Sequence, residues 1–546
     1  MQLGFDYGDG PHAVGLAVRL ADGDRPFIDE MNLQVMGAWP AVPFVWVWTH
    51  TVGTDGIILA SRVYFVLLSL LVAHVSWRAI SPLVGRWTSA VVIAIAVIPA
   101  AYNLPLVSYN TTPALLLMLA TCSLLAALTR DAVVWAWVGG AALALSAAAH
   151  PVTAPTGLLV GVLAIVLLGR RRLSLFVLGG AVGAAAVVLV ALMTLWGGLD
   201  ALRSTIDFTT DYQSLRPSRG SRVRHALEAY RQWSGVLVPS AAAVVVAALL
   251  PTARPGRPWV AWTRAVLLGV TGLLLAMAML RGGLTSRSIV TASWTSGFTA
   301  TVLVLILALP AAIVAMRSGD RLLRQVLVLG LPPTLVGIPV IWALTSASPA
   351  WGSTASVLAP GLVAVTTVLV RDLRAGFARS VGPDRRWPVV VPVAIIVLQL
   401  LVSHTLTSFR SPPLAELRTR VTFGINAGLW NGQEQVRSLA ETTRLAQRCG
   451  RTALTYEQPT AHLLGEARIL SPIIWLVRFE HANQVVVDWL TARDAKPHCI
   501  LISTRSWPPS PGLLSSDPLL RWIHDRYVFA GQAGNLTLLR RADLVW

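Results

Sequence analysis

Lysine and cysteine are nearly absent from this sequence of 546 residues. Lys496 is the single lysine, and the three cysteines are Cys122, Cys449 and Cys499. Three cysteines exclude a scaffold held by many disulfides and a metal site built from thiolates. The ten histidines show no i, i+3 or i, i+4 pairing, so a histidine-rich metal cluster is not expected either.

Charge is also scarce: 13% of the residues are charged, whereas 55% are hydrophobic. A soluble globular surface does not tolerate this ratio, so the bilayer is the expected solvent for most of the chain. The net charge of +18 comes almost wholly from arginine. Such an excess is typical of nucleic-acid binding or of the cytoplasmic loops of a membrane protein, and the positions of the arginines decide between the two.

Twelve apolar segments are long enough, or nearly so, to be membrane spans, which need roughly 17–25 apolar residues. The predicted spans are residues 57–77, 88–102, 112–128, 132–149, 156–168, 173–196, 236–250, 262–280, 296–316, 325–346, 355–370 and 388–407.

The arginines predict the orientation of these spans. If residues 1–56 are outside, the inner connections carry Arg78, Arg86, Arg130, Arg170, Arg171, Arg172, Arg254, Arg257, Arg317, Arg321, Arg324, Arg371, Arg374, Arg379, Arg385 and Arg386. The outer connections 103–111, 150–155 and 347–354 carry no arginine or lysine. This asymmetry follows the positive-inside rule and excludes the nucleic-acid interpretation.

Two outer segments are long, residues 1–56 and 197–235. Long loops beside a membrane core are usually functional or disordered. Within the second segment, Arg222–Trp233 is expected to form an amphipathic helix on the membrane surface.

Residues 408–546 have the composition of a soluble domain, and alternating helix and strand patterns predict a small extracytoplasmic α/β domain. Asn431 and Glu434 resemble a capping box that opens a helix to Arg448, and a second helix is expected at 481–493. The predicted strands are Thr452–Tyr456, Cys499–Ser503, Tyr527–Ala530 and Leu536–Arg540. Cys449 and Cys499 each stand where a strand begins, which fits either a disulfide or two buried thiols. The domain contains no glycine-rich phosphate loop.

All acidic residues lie outside the apolar segments or at their edges, which argues against an ion-coupled transporter. Those that precede the first span are Asp6, Asp9, Asp22, Asp24, Asp29, Glu30 and Asp55. Carboxylates at a membrane surface suit a sugar transfer from a lipid phosphate. One of them would take the proton from the acceptor while polar groups stabilise the leaving phosphate.

Several short motifs resemble the first outer loop of the GT-C membrane glycosyltransferases. They are Phe5-Asp6-Tyr7-Gly8-Asp9-Gly10, Arg25-Pro26-Phe27-Ile28-Asp29-Glu30, Gly37-Ala38-Trp39-Pro40, Ala60-Ser61-Arg62 and Ser108-Tyr109-Asn110-Thr111-Thr112. The closest resemblance is to the family 39-like branch of protein mannosyltransferases and aminoarabinose transferases. It covers the membrane core, and its specific part is the first 65 residues.

The resemblance implies a polyprenyl-phosphate sugar donor, an active site on the outer face and an acidic first-loop residue as the base. By position, Asp9 matches that acid best and Asp6 next, while Asp29 or Glu30 matches a second acidic position. The alternative for residues 6–10 is a solvated turn, since Asp and Gly are common turn residues.

Candidates for substrate or phosphate binding come from the same resemblance and from their predicted outer positions. They are Arg62, Tyr109, Asn110, His150, Arg287 and Trp39. Arg62 is equally explained as an arginine that reaches the interface. Tyr109 and Asn110 are equally explained as a helix cap, and Trp39 as part of an interfacial aromatic belt. No cofactor is certain, and a divalent cation stays open because some GT-C enzymes use one and others do not.

The sequence therefore predicts a GT-C-like polytopic helical membrane protein that moves a sugar from a polyprenyl phosphate to a glycan, lipid or protein acceptor outside the cytoplasmic membrane. Related enzymes have a span ahead of the first loop, so one is expected to be missing before Met1. Two other functions are open. A transporter or flippase of lipid-linked glycans predicts essential groups inside the bundle, and a non-catalytic cell-envelope scaffold predicts that the C-terminal domain alone retains function.

Overall fold

The structure is a computed structural model in which residues 2–4, 8–169, 171–215, 217–250, 258–285, 296–345, 350–380, 393–398, 400–401, 412 and 416–544 are described.

The first two thirds of the chain are helical. The helices are α1 Asp9–Ala21, α2 Val42–Thr51, α3 Ile57–Val84, α4 Arg86–Val97, α5 Thr111–Arg130, α6 Val133–Ala149, α7 Ala154–Leu168, α8 Arg171–Leu195, α9 Gly198–Ser214, α10 Arg219–Arg231, α11 Ser234–Leu249, α12 Pro258–Thr285, α13 Ser296–Arg317, α14 Arg321–Leu344 and α15 Ala355–Ser380. Each of the first eleven predicted spans coincides with one of them. The twelfth, residues 388–407, lies mostly outside the described residues.

The predicted polytopic membrane architecture is confirmed, but the predicted count of twelve spans is not. Among the described residues, seven helices are long and apolar enough to cross a membrane, or up to eight if α10 and α11, which meet at a 74° bend, form one span. Three more apolar helices are shorter: Arg86–Val97, Val133–Ala149 and Trp262–Leu275. The last of these is part of the longer helix α12, Pro258–Thr285.

Small residues allow the helices of the bundle to approach closely. A Cβ atom at Gly140 of α6 would lie 2.0 Å from the Val177 carbonyl oxygen of α8, and one at Gly180 would lie 2.1 Å from that of Trp137. Backbone-to-backbone contact at glycine is typical of helix packing in membranes. Helices α5 and α15 form the centre of the bundle, since 78% and 89% of the residues in their most apolar stretches are buried.

The first outer segment contains a helix where a turn was the alternative expected for residues 6–10. Helix α1 begins at Asp9 and is buried from Gly10 to Ala17. Pro11 stands in its first turn, where the absent N–H costs no helical hydrogen bond. Arg19 and Leu20 of the same helix are also buried, and Arg19 donates to the Ser471 carbonyl, so α1 packs against the C-terminal domain.

The C-terminal region is the predicted α/β domain. Its helices are α16 Gln433–Ala446, α17 Ala461–Gly465, α18 Gln484–Ala492, α19 Pro511–Ser516 and α20 Pro518–Arg526. Its strands are β1 Thr419–Arg420, β2 Trp430–Asn431, β3 Thr452–Tyr456, β4 Arg468–Ile469, β5 Cys499–Ser503, β6 Tyr527–Ala533 and β7 Leu536–Arg541. The main sheet has the order β4-β3-β5-β7-β6, with β3 parallel to its two neighbours.

The domain settles whether Cys449 and Cys499 are bonded, and it corrects the predicted start of its first helix. Cys449 and Cys499 form a disulfide, with Cα atoms 5.4 Å apart. The capping box at Asn431 is wrong: the N-cap of α16 is Gly432 without a side-chain bond, because Asn431 Oδ1 accepts from the Gly432 amide instead.

Candidate active site

Asp9 is the first residue of α1, directly after the N-cap residue Gly8. The N-terminus of a helix carries unpaired N–H groups and a partial positive charge, both of which favour an ionised carboxylate. The position therefore suits a proton acceptor that must be charged before it acts.

Two tyrosines from the connection between α4 and α5 lie near Asp9. Burial, with the added effect of the Asp9 carboxylate, raises the pKa of both Tyr102 and Tyr109. Both phenols are neutral at pH 7 and can act as hydrogen-bond donors.

Tyr102 is held in an unusual backbone conformation. Tyr102 and Asn103 have φ of 54° and 53°, a region that non-glycine residues seldom adopt. Asn103 Oδ1 accepts from the Ser296 amide at 2.8 Å and from its hydroxyl at 2.6 Å, which fixes the turn to α13. The Tyr102 hydroxyl lies 3.0 Å from Ser353 Oγ. Strained residues held by their surroundings are common at functional sites.

Tyr109 lies against the first outer segment. A Cβ atom at Gly37 would lie 2.3 Å from the Tyr109 Cα atom, and the Thr112 hydroxyl donates to the Gly37 carbonyl at 2.8 Å. The motif around Gly37 and the motif around Tyr109 are therefore in direct backbone contact. Only glycine permits this approach.

Two buried histidines flank the Tyr109 ring. Ring centroids are 6.2 Å apart for His12 and 5.6 Å apart for His150. Burial lowers the pKa of each histidine to about 4, so both are neutral at pH 7. The Gln34 amide nitrogen lies 3.1 Å from His150 Nε2, and because that amide only donates, neutral His150 carries its proton on Nδ1.

Arg62 and Asn110, two of the predicted binding residues, bind protein groups. Arg62 donates to the carbonyl oxygens of Leu3 and Gly4 at 3.2 and 2.8 Å, and it is 6% exposed. It thereby fixes the backbone just ahead of residues 5–7. The Asn110 amide oxygen accepts from the Ser356 hydroxyl at 3.4 Å, which connects the start of α5 to α15.

Glu30 and Asp29 lie in a different cluster from Asp9. Glu30 is fully buried, and its carboxylate accepts from Arg19 and from the Ile474 amide of the C-terminal domain at 2.9 Å. Burial raises the pKa of Glu30 to about 7, although Arg19 opposes this shift. Asp29 accepts from the Arg25 amide and side chain within the turn. This cluster fastens the first outer segment to the C-terminal domain.

The remaining predicted residues are less informative. Trp39 is 38% exposed, and its ring lies 5.7 Å from that of Trp196, at the end of α8. Asp6 and Arg287 lie outside the described residues.

Metal binding was left open by the sequence. Within the described residues there is no group of three or more His, Cys, Asp or Glu side chains that could hold a metal ion. The carboxylates of Asp24 and Glu30, which are close together, are both bound by Arg19. These residues therefore do not fit a divalent cation.

Sequence reasoning missed Tyr102 and His12, which lie near Asp9, and also Gln34 and Trp475, which contact His150 and His12. His12 lies one helical turn after Asp9, and this spacing would have been a signal if α1 had been predicted. Trp475 belongs to the C-terminal domain, and its ring lies 5.1 Å from His12. No sequence pattern connects residues this far apart.

Together, the fold and site define a multi-span helical membrane protein whose small α/β domain packs on a short helix opened by a carboxylate. Among solved structures, the chain is similar to the crystal structure of ArnT from Cupriavidus metallidurans in the apo state. The identity is 15% and the TM-score 0.41, over 98% of this chain and 93% of that chain. It is similar to ArnT from the same organism bound to undecaprenyl phosphate with 12% identity, the same TM-score and the same coverage. No family model matches the chain, and no curated protein matches it in sequence.

Proposed function

We propose that this protein is a membrane glycosyltransferase that moves a sugar from a polyprenyl-phosphate donor to an acceptor on the outer face of the cytoplasmic membrane. The observation that carries the proposal is the position of Asp9. Its carboxylate stands at the N-terminus of α1, close enough to Tyr102 and Tyr109 for its charge to act on both phenols. Asp9 and Tyr109 belong to motifs that resemble those of GT-C enzymes, whereas Tyr102 was identified only in the structure.

In the proposed reaction, Asp9 accepts the proton of the acceptor nucleophile as that nucleophile bonds to the anomeric carbon. The bond between this carbon and the lipid phosphate oxygen breaks, and the phosphate leaves with the electron pair. Attack opposite to the leaving group inverts the anomeric configuration. General base catalysis of this kind contributes roughly 10²- to 10⁴-fold to the rate.

The neighbours of Asp9 suit this role. Tyr102 and Tyr109 are neutral donors that can orient the acceptor or the departing oxygen without neutralising the base. Arg62 is proposed to act by fixing residues 3–4, which directly precede the motif that contains Asp9. Glu30 is proposed to act through Arg19 in positioning the loop, since its carboxylate is bound on both sides.

Two observations support an outer location. The disulfide Cys449–Cys499 requires an oxidising compartment, which for a bacterial-type membrane protein is outside the cytoplasm. The arginine-rich connections lie on the opposite side of the predicted topology from the first outer segment.

The test separates a transferase from a flippase. Purified protein in lipid nanodiscs, which have no second compartment, is given radiolabelled sugar-lipids extracted from membranes together with cell-envelope acceptors. A transferase releases the label from the lipid and forms a labelled product, whereas a flippase leaves every label on the lipid. Complete retention on the lipid with all acceptor fractions would contradict the proposal.

A further inference from the structure

The C-terminal domain contributes a chain segment to the Asp9 side of α1. Residues 471–475 run along this helix: the Ser471 carbonyl accepts from Arg19 at 2.9 Å, and Trp475 lies over His12. Between these two points, a Cβ atom at Gly15 would lie 2.6 Å from Ile474 Cδ1. The segment therefore follows three successive turns of the helix that begins at Asp9.

Asp9 and His12 are neighbours on the surface of α1. Residues three apart on a helix have Cβ atoms about 5–6 Å from each other. The Trp475 ring, 5.1 Å from the His12 ring, therefore packs on the residue that is next to the proposed base on the helix surface. Trp475 is only half-buried, so part of its ring is open.

His12 provides a second observation at the same place. It is 4% exposed, and its Nδ1 atom has no hydrogen-bond partner among the described residues. A buried polar atom without a partner needs an explanation, such as a bound molecule or water. A ring nitrogen of a neutral imidazole can donate to or accept from a hydroxyl group.

From these contacts we infer that Trp475 and His12 form the subsite for the donor's sugar, with the sugar ring stacked on the indole and a sugar hydroxyl bonded to His12 Nδ1. The apolar C–H face of a saccharide fits an aromatic ring, and its hydroxyls fit uncharged donors and acceptors. Pockets that combine aromatic walls with a few polar atoms are typical of small-molecule sites. The inference rests on the proposed function and assigns the C-terminal domain a direct part in substrate recognition.

The test measures binding without turnover. Full-length protein carrying Asp9→Asn in nanodiscs is titrated, without acceptor, with citronellyl phosphate and with citronellyl-phosphate mannose, glucose and arabinose. We expect at least one glycosylated lipid to bind more tightly than citronellyl phosphate. An aromatic contact contributes about 0.5–1.5 kcal/mol. Trp475→Leu should therefore lower the affinity for that glycosylated lipid by roughly two- to tenfold and leave the affinity for citronellyl phosphate unchanged.

Two further variants complete the test. Trp475→Phe keeps an aromatic face and should retain most of the preference for the sugar. Trp522→Leu is a matched control, because Trp522 is a half-buried tryptophan of the same domain that packs on Tyr527 instead. It should change neither affinity.

The outcomes separate the inference from the proposed function. The sugar subsite is wrong, while the proposed transferase activity stands, if Trp475→Leu keeps the full preference for the glycosylated lipid. The same holds if Trp475→Leu lowers the affinity for both lipids equally. If no sugar-lipid is preferred by any form of the protein and wild type forms no product, both the proposed function and the subsite are wrong.

Discussion

Arg19 and Glu30 form a buried ion pair that connects the first outer segment to the C-terminal domain. The guanidinium Nη1 lies 2.5 Å from Glu30 Oε2, and the two side chains are 5% and 0% exposed. The same guanidinium bonds to Asp24 and to the backbone carbonyls of Asp29 and Ser471. One arginine therefore holds together the chain on both sides of the interface between α1 and the domain.

Arg19→Gln should strongly destabilise the protein. Without the guanidinium, the buried carboxylates of Asp24 and Glu30 repel each other, and breaking a buried ion pair costs about 3–5 kcal/mol. We expect a lower unfolding temperature and faster proteolysis between the membrane core and the C-terminal domain.

The matched control is Arg25→Gln. Arg25 pairs with Asp29, but its side chain is 56% exposed, and surface pairs contribute about 0–1 kcal/mol. An Arg19→Gln protein as stable as the Arg25→Gln protein would show that the bonds of Arg19 to Asp24 and Glu30 do not stabilise the interface.

Acid should loosen the same interface through His462. Burial, and next the charge of Arg19, lowers the pKa of His462 from 6.5 to about 3. The unfolded state then binds more protons below pH 6.5, so stability is present above pH 6.5 and is lost as the pH falls toward 3. Glu30 opposes this trend, because its contribution to the stability of the folded state is present below pH 4.5 and is lost as the pH rises through 7.

The unfolding temperature between pH 7.5 and 4 measures this effect. His462→Gln lowers stability at every pH, but its unfolding temperature should fall less steeply with acid than that of wild type. Equal slopes for the two proteins would rule out His462 as a source of the acid sensitivity.

Gly37→Ala should inactivate the site without unfolding the protein. The added methyl group would overlap the Tyr109 backbone, with the amide nitrogen 2.6 Å and the Cα atom 2.3 Å away. Relief of this overlap displaces Tyr109 relative to Asp9, and small displacements of positioned groups cost up to about 10²-fold in rate.

Gly220→Ala serves as the control, because a Cβ atom there meets nothing within 4 Å and alanine favours a helix. The measurement is the transfer rate of each variant at matched expression. A Gly37→Ala rate equal to that of Gly220→Ala would mean that the contact with Tyr109 does not position the site.

Much of this architecture follows from local pattern, whereas the contents of the site do not. Apolar runs predicted eleven helices, and the strands Thr452–Tyr456 and Cys499–Ser503 were predicted at their observed bounds, the second as a buried strand. Helix α1 was missed because Asp9 and Gly10 are also turn residues. The αL conformation of Tyr102 and the contact of His12 with Trp475 depend on tertiary packing between distant segments, which no local spacing encodes.

Cysteine labelling should establish the orientation of the chain. Ser516 of α19 and Ser318, which follows α13, are both exposed, and the proposed topology puts them on opposite sides of the membrane. A membrane-impermeant maleimide added to intact cells should label Ser516→Cys and not Ser318→Cys. The native background is low, because Cys122 is buried and the other two cysteines form a disulfide. The reverse pattern would place Asp9 on the cytoplasmic side.

The most direct measurement is the single-turnover rate of sugar transfer by Asp9→Asn at saturating donor. The isosteric amide cannot accept the acceptor's proton, so we expect the rate to fall by roughly 10²- to 10⁴-fold while donor binding is retained. Asp22→Asn, an exposed acid at the other end of α1, should transfer at the wild-type rate. An Asp9→Asn rate as high as that of Asp22→Asn would contradict the assignment of Asp9 as the base.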